Sequence, residues 1–94
     1  MFVILLKFAD KSKAKEHMQG HNDWIDQGIK DGTFLVVGSL QPNLGGAIIS
    51  VGSNRADIEA RINQDPFVKH SVVDAEILEI TPNRIADAMA GVIQ

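Results

Sequence analysis

Residues 2–8 read Phe-Val-Ile-Leu-Leu-Lys-Phe, and their large apolar side chains fall on odd and even positions alike. Successive side chains of a strand point to opposite sides of its sheet, so a run of this kind marks a strand covered on both faces. Residues 33–39 (TFLVVGS) repeat the pattern, with Phe34, Leu35, Val36 and Val37 in unbroken succession. A chain of 94 residues has helix enough to cover one face of a small sheet. The second apolar face therefore has to meet something outside the chain's own core.

Between these two runs, residues 13–32 carry the period of an amphipathic helix. Ala14, Met18, His21, Ile25 and Gly28/Ile29 fall on one line, and Lys13, Glu16, Asp23, Asp26, Gln27 and Lys30 lie opposite. An imidazole thus sits in the middle of the stripe expected to face the sheet. Asp10 and Ser12 are suited to cap the start of the helix, and Gly32 to close it in the left-handed conformation. The turn cluster 41–46 separates the second strand from a third, at 47–51. Ser53 or Asn54 can cap a second helix, Arg55–Asn63, whose apolar line through Ala56, Ile58/Glu59 and Ile62 is narrow. Pro66 pushes Asp65 out of the α region and ends that helix. Residues 72–80 alternate, with Val73, Ala75 and Ile77 on one side and Asp74 and Glu76 on the other, as expected of a half-exposed edge strand. Thr81-Pro82 opens a short C-terminal helix that would dock through Ile85, Met89 and Val92.

The resulting order is βαββαβ with a C-terminal helix. Its simplest solution is an α+β fold of ferredoxin-like type, a four-stranded antiparallel sheet with both crossover helices on one face. The opposite face would then expose several of Phe2, Val3, Ile4, Leu5, Leu6, Phe34 and Val36, a patch larger than a monomer usually shows to water. Covering about 500 Å² of it per subunit is worth roughly 12 kcal/mol before the costs of association. The expected partner is a second copy of the chain, packed through the open sheet face.

Composition narrows the function classes. Hydrophobic residues make up 45% and charged residues 22% of the chain, the balance of a single globular domain over residues 1–94. The net charge of −3, with no basic run, argues against a nucleic-acid partner. There is no cysteine, so thiolate chemistry and disulfides are excluded. Residues 1–6 are apolar but too few for a membrane span or a signal core, so a cytoplasmic protein without a membrane partner is expected.

Few residues have side chains suited to chemistry. His21 is either a core imidazole bonded to a carbonyl or a general acid/base that needs one orienting carboxylate. Asp65 is the carboxylate of interest, with fixing the turn before Pro66 as its other role. Ser39 is a candidate hydrogen-bonding group for a substrate oxygen, and Trp24 a candidate wall beside His21 or a core residue. The Gly45-Gly46 pair offers backbone N–H groups to an anionic oxygen, or is a plain hairpin. His17 and His21 have the i, i+4 spacing of metal ligands, but Met18 stands where a zincin carries Glu and no third ligand is evident. No metal or other cofactor is expected, and His70 reads as a turn residue.

Taken in order, His21, Asp31-Gly32, a strand ending in Gly38-Ser39, and Asp65-Pro66-Phe67 after the second helix resemble the YciI-like, YCII-related proteins. The likeness spans residues 2–80. It departs at Gly38-Ser39, where relatives often carry Gly-Pro, and in a shorter turn there. The resemblance implies a ferredoxin-like fold paired into a dimeric α+β barrel, and a dyad of His21 with Asp65. A family member acts as a dehydrochlorinase on chlorinated hydroxyhydroquinones, and muconolactone isomerase shares the wider architecture. By this resemblance the expected function is a lyase or isomerase for a small cyclic, phenolic or keto substrate in aromatic or chloroaromatic catabolism. The alternative is a non-catalytic dimer that binds a small ligand or serves a partner enzyme.

Overall fold

A computed structural model describes residues 1–93. Strands β1 (Phe2–Phe8), β2 (Phe34–Leu40), β3 (Gly45–Ser50) and β4 (Val73–Glu79) form one antiparallel sheet in the order β2-β3-β1-β4. Helices α1 (Ala14–Lys30) and α2 (Arg55–Asn63) are the two crossovers. This is the ferredoxin-like α+β arrangement anticipated from the element order.

Register divides the sheet's two faces cleanly. Phe2, Ile4 and Leu6 of β1, with Phe34, Ile48 and Val73, are buried under the helices. On the other face Val3 lies opposite Ile49 and Leu78, and Leu5 opposite Ala47 and Glu76. Val36, opposite Ile49, is 54% exposed and Leu78 is 45% exposed, so this face carries an uncovered apolar band. Strand β4 bonds to β1 alone and is an edge, as its alternation required.

The helix ends follow local chemistry. Asp10 caps a short 3-10 turn, Lys11–Lys13, by accepting from the Ser12 N–H, and α1 continues from it. Gly32 closes α1 at φ +81, a conformation that costs little without a side chain. Asn54 caps α2 through the Asp57 N–H, with both ends of that helix as expected. Beyond α2, Asp65 is extended, as Pro66 demands, yet the chain then makes one further turn, α3 (Pro66–Lys69). Pro66 at its first position and the Asp65 carboxylate as its cap explain that turn.

Two expectations are corrected. Of the line expected to face the sheet, Ala14, His21, Ile25 and Gly28 are covered, and Trp24 joins them, while Met18 and Ile29 are exposed. The reason is a close approach: a methyl on Gly28 would lie 2.1 Å from the Phe34 ring, so the helix packs where it is thinnest, not where it is most apolar. At the C-terminus only a 3-10 turn forms, at Asp87–Met89. Ile85, Met89 and Val92 remain about 40% exposed, and among the described residues none after Ile77 joins the core or packs against it. Helices α1 and α2 already cover the inner face, so this segment finds no place there.

The ends of α1 and α2 are tied together by Asp31 and Arg61, whose Nη2 lies 2.7 Å from Asp31 Oδ2. Hydrogen bonding from Thr33, and then Arg61, holds the Asp31 pKa at about 2. A carboxylate with a folded pKa below its unfolded value stabilises the fold above pH 3.8, and that contribution is lost as pH falls toward 2. Asp31→Asn is accordingly expected to flatten the fall of melting temperature between pH 4 and 2, measured by circular dichroism, with the remaining carboxylates unaffected.

Candidate active site

His21 projects from the middle of α1 toward the junction of α2 and α3. Its Nδ1 lies 2.8 Å from Asp65 Oδ1, across 44 positions of sequence. The Asp65 side chain is fully buried and that of His21 is 14% exposed. The same Oδ1 accepts the backbone N–H of Phe67 at 3.0 Å. One oxygen therefore both caps α3 and anchors the imidazole, while Oδ2 has no hydrogen-bond partner among the described residues. Charge-assisted bonds of this kind are the strong ones, and burial sharpens their geometry.

Two further contacts hold the ring in place. Phe67 stacks on it with centroids 3.9 Å apart and planes 4° from parallel. Gly20 lets α1 approach α3, since a methyl there would sit 3.0 Å from Pro66 Cγ. An ionised carboxylate can only accept, so Nδ1 carries the N–H of this bond, and Nε2, which bonds no group among the described residues, is the nitrogen left to exchange a proton. A His–carboxylate pair in this state can take a proton at Nε2 while Asp65 stabilises the imidazolium that results.

His21 lines a cavity of about 220 Å³ between α1 and the β2–β3 end of the sheet. Leu6, Phe8, Met18, Ile25, Phe67 and Val73 supply its apolar wall, and Asn22 and Ser39 its other polar side chains. Gly38, Gly45 and Gly46 also border it, and Gly46, in register with Leu6, puts no side chain into it. Gly45 is held at φ +132, and a methyl on it would fall 2.0 Å from the Leu6 carbonyl oxygen.

The four residues singled out from the sequence thus separate. His21 and Asp65 pair, and Ser39 lines the cavity. Trp24 does not line it. Its indole N–H donates to the Arg61 carbonyl at 3.0 Å, and its ring meets Phe34 edge-on at 5.0 Å. The carbonyl at the end of α2 draws the indole into the core, so of the two roles open to Trp24 it takes the core one and the candidate substrate contact is not made. His17 turns from His21 to stack on His70, with centroids 3.9 Å apart. Met18, i−3 from His21, was read in the sequence as a packing residue of the same face, and Asn22 went unnoticed because i+1 lies off that face. Phe67 carried a signal, since it follows Asp65 by two.

No curated protein matches the chain. The YCII-related domain pattern matches residues 1–82, a span that takes in all four strands and helices α1 to α3. On that match the chain belongs to the YCII-related family.

Proposed function

We propose that this protein is a cytoplasmic lyase or isomerase in which the His21–Asp65 dyad moves a proton on a small cyclic, phenolic or keto substrate. The observation that carries this reading is the 2.8 Å bond between a cavity-lining imidazole and a fully buried carboxylate. Nε2 would take a proton from a substrate carbon as a double bond forms and halide leaves, and then pass it to water. In an isomerisation it would return the proton elsewhere on the same molecule. Ser39, on the cavity wall, would hydrogen-bond a substrate oxygen. General acid–base transfer of this type accounts for about 10² to 10⁴ of a rate enhancement. Dehydrochlorination in chloroaromatic catabolism is the form of the reaction that the family resemblance suggests.

The test is a panel of chlorinated hydroquinones and unsaturated lactones, read by chloride release and by ultraviolet spectra. Turnover should disappear in step with carbethoxylation of His21 by diethyl pyrocarbonate, followed by peptide mapping. No turnover on any member, together with saturable thermal stabilisation by one of them, would assign a binding role instead.

The working unit we propose is a homodimer joined through the apolar band of Val3, Leu5, Val36, Ile49 and Leu78. Sedimentation at micromolar concentration is expected to give twice the chain mass. A monomer there would refute the assembly without touching the dyad.

A further inference from the structure

We infer that the open cleft between the start of α1 and the end of α3 is a binding site for a doubly charged oxyanion, of the kind carried by phosphate monoesters. It is lined by Lys13, Glu16, His17, Lys69, His70 and Ser71 and shares no residue with the His21 cavity. Four groups able to carry positive charge thus meet one carboxylate, in a chain whose net charge is −3. Among the described residues neither Lys69 nor His70 is paired with a carboxylate. Lys13 stands 3.9 Å from Asp10 and donates to the His70 carbonyl at 3.4 Å, which leaves a further N–H for a ligand. Glu16 lies 3.9 Å from His17 Nε2 with its side chain 77% exposed, so it is free to turn to water as an anion enters.

The two imidazoles link this site to protons. The rings of His17 and His70 stack with centroids 3.9 Å apart and planes 3° from parallel. Histidine takes up its proton close to neutral pH, and two imidazolium rings at that separation repel. An oxyanion at their edge offsets both charges, its oxygens accepting from ring N–H groups and from the lysines. Proton uptake by the stack and capture of the anion therefore favour each other. The other charged groups around the stack are Lys13, Glu16 and Lys69, with Asp10 beside Lys13. All four keep their charge between pH 8 and 6, so the imidazoles alone set how binding changes over that range. The cleft also spans two elements. His17 belongs to α1, while Lys69 and His70 end α3, the helix that Asp65 caps at its start. An occupant would pin α3 to α1 at the end opposite Asp65.

Sulfate is the probe, since its double charge is constant between pH 6 and 8. Titrated into the protein at constant ionic strength and followed through the His17 and His70 ring protons by NMR, it is expected to bind about tenfold or more tightly at pH 6 than at pH 8. Lys69→Gln and His70→Gln, both at exposed positions, should each weaken binding at pH 6 by about fivefold or more, and Glu16→Gln should strengthen it. Phenyl phosphate should displace sulfate, whereas acetate should not. With sulfate bound, amide exchange at Phe67 and Val68 should slow. Ring shifts no larger with sulfate than with chloride at matched ionic strength would overturn the site, as would unchanged affinity in both Lys69→Gln and His70→Gln. Displacement by acetate as readily as by phenyl phosphate would overturn the preference for two charges. Unaltered exchange at saturating sulfate would overturn the pinning of α3. None of these results bears on the dyad's proton transfer, which the turnover panel judges.

Discussion

His21→Ala is expected to lower turnover by about 10² to 10⁴, to the level that binding alone supports, while the sheet and the assembly persist. The side chain is not part of the core proper, since the residues buried under the helices are Phe2, Ile4, Leu6, Trp24, Phe34 and their neighbours. What the substitution does leave behind is a fully buried Asp65 with one hydrogen bond, from the Phe67 N–H, in place of two. Removing one partner of a buried pair costs several kcal/mol when the other stays charged, so a loss of about 1–3 kcal/mol in stability accompanies the loss of rate. His21→Gln keeps a donor within reach of Oδ1 and should recover most of the stability but none of the turnover. Urea unfolding and steady-state assay of both variants separate the two effects. A His21→Ala protein that remains folded and fully active would end the assignment.

The largest effect on stability is expected from Gly45→Ala. A methyl at this position would fall 2.0 Å from the Leu6 carbonyl oxygen and 3.0 Å from the Lys7 Cα, both backbone atoms of the central strand. Neither can move without breaking the β1–β3 ladder, in which Gly45 is the partner of Lys7. The conformation at φ +132 adds strain for any residue with a side chain. We expect a loss of about 3 kcal/mol or more, a large share of what a domain of this size has to lose. Gly38→Ala, with nothing within 4 Å of the added methyl, is the control and should be close to neutral. Chemical denaturation of the pair gives the comparison directly.

Which features could be read in the sequence follows from which of them are local. The doubly apolar run around Ile4 marked the central strand β1, because covering on both faces is written into consecutive residues. The same pattern around Val36 belongs to β2, an edge strand whose outer face is left open. Helix α2 was bounded correctly by Asn54 and Pro66, whose side chains act on their own backbone and immediate neighbours. Helix α3 escaped because four residues hold too little period to register. Most of the α1 face was legible, since Ala14, Ile25 and Gly28 pack as expected, but Met18 and Ile29 were misjudged for a different reason. Hydrophobicity favoured Met18 and Ile29, but helix and sheet meet at Gly28, where the decisive property is the lack of a side chain opposite Phe34. Trp24 was ambiguous in the sequence since its hydrogen-bond partner, the Arg61 carbonyl, is 37 positions away. The His21–Asp65 bond joins residues that no local pattern connects. Topology brings them within reach, and the family resemblance singled them out.

The doubly bonded oxygen of Asp65 has a consequence for how the site fails. Because the carboxylate that starts α3 also holds the imidazole, fraying of that one-turn helix and dismantling of the dyad are the same event. Short elements open at free energies well below that of global unfolding. On gentle warming, the amide protons of Phe67 and Val68 should become exchangeable while those of β1 stay protected, and turnover should decline with the former. The lifetime of the reactive geometry is then governed by excursions of four residues, while the sheet beneath them stays intact.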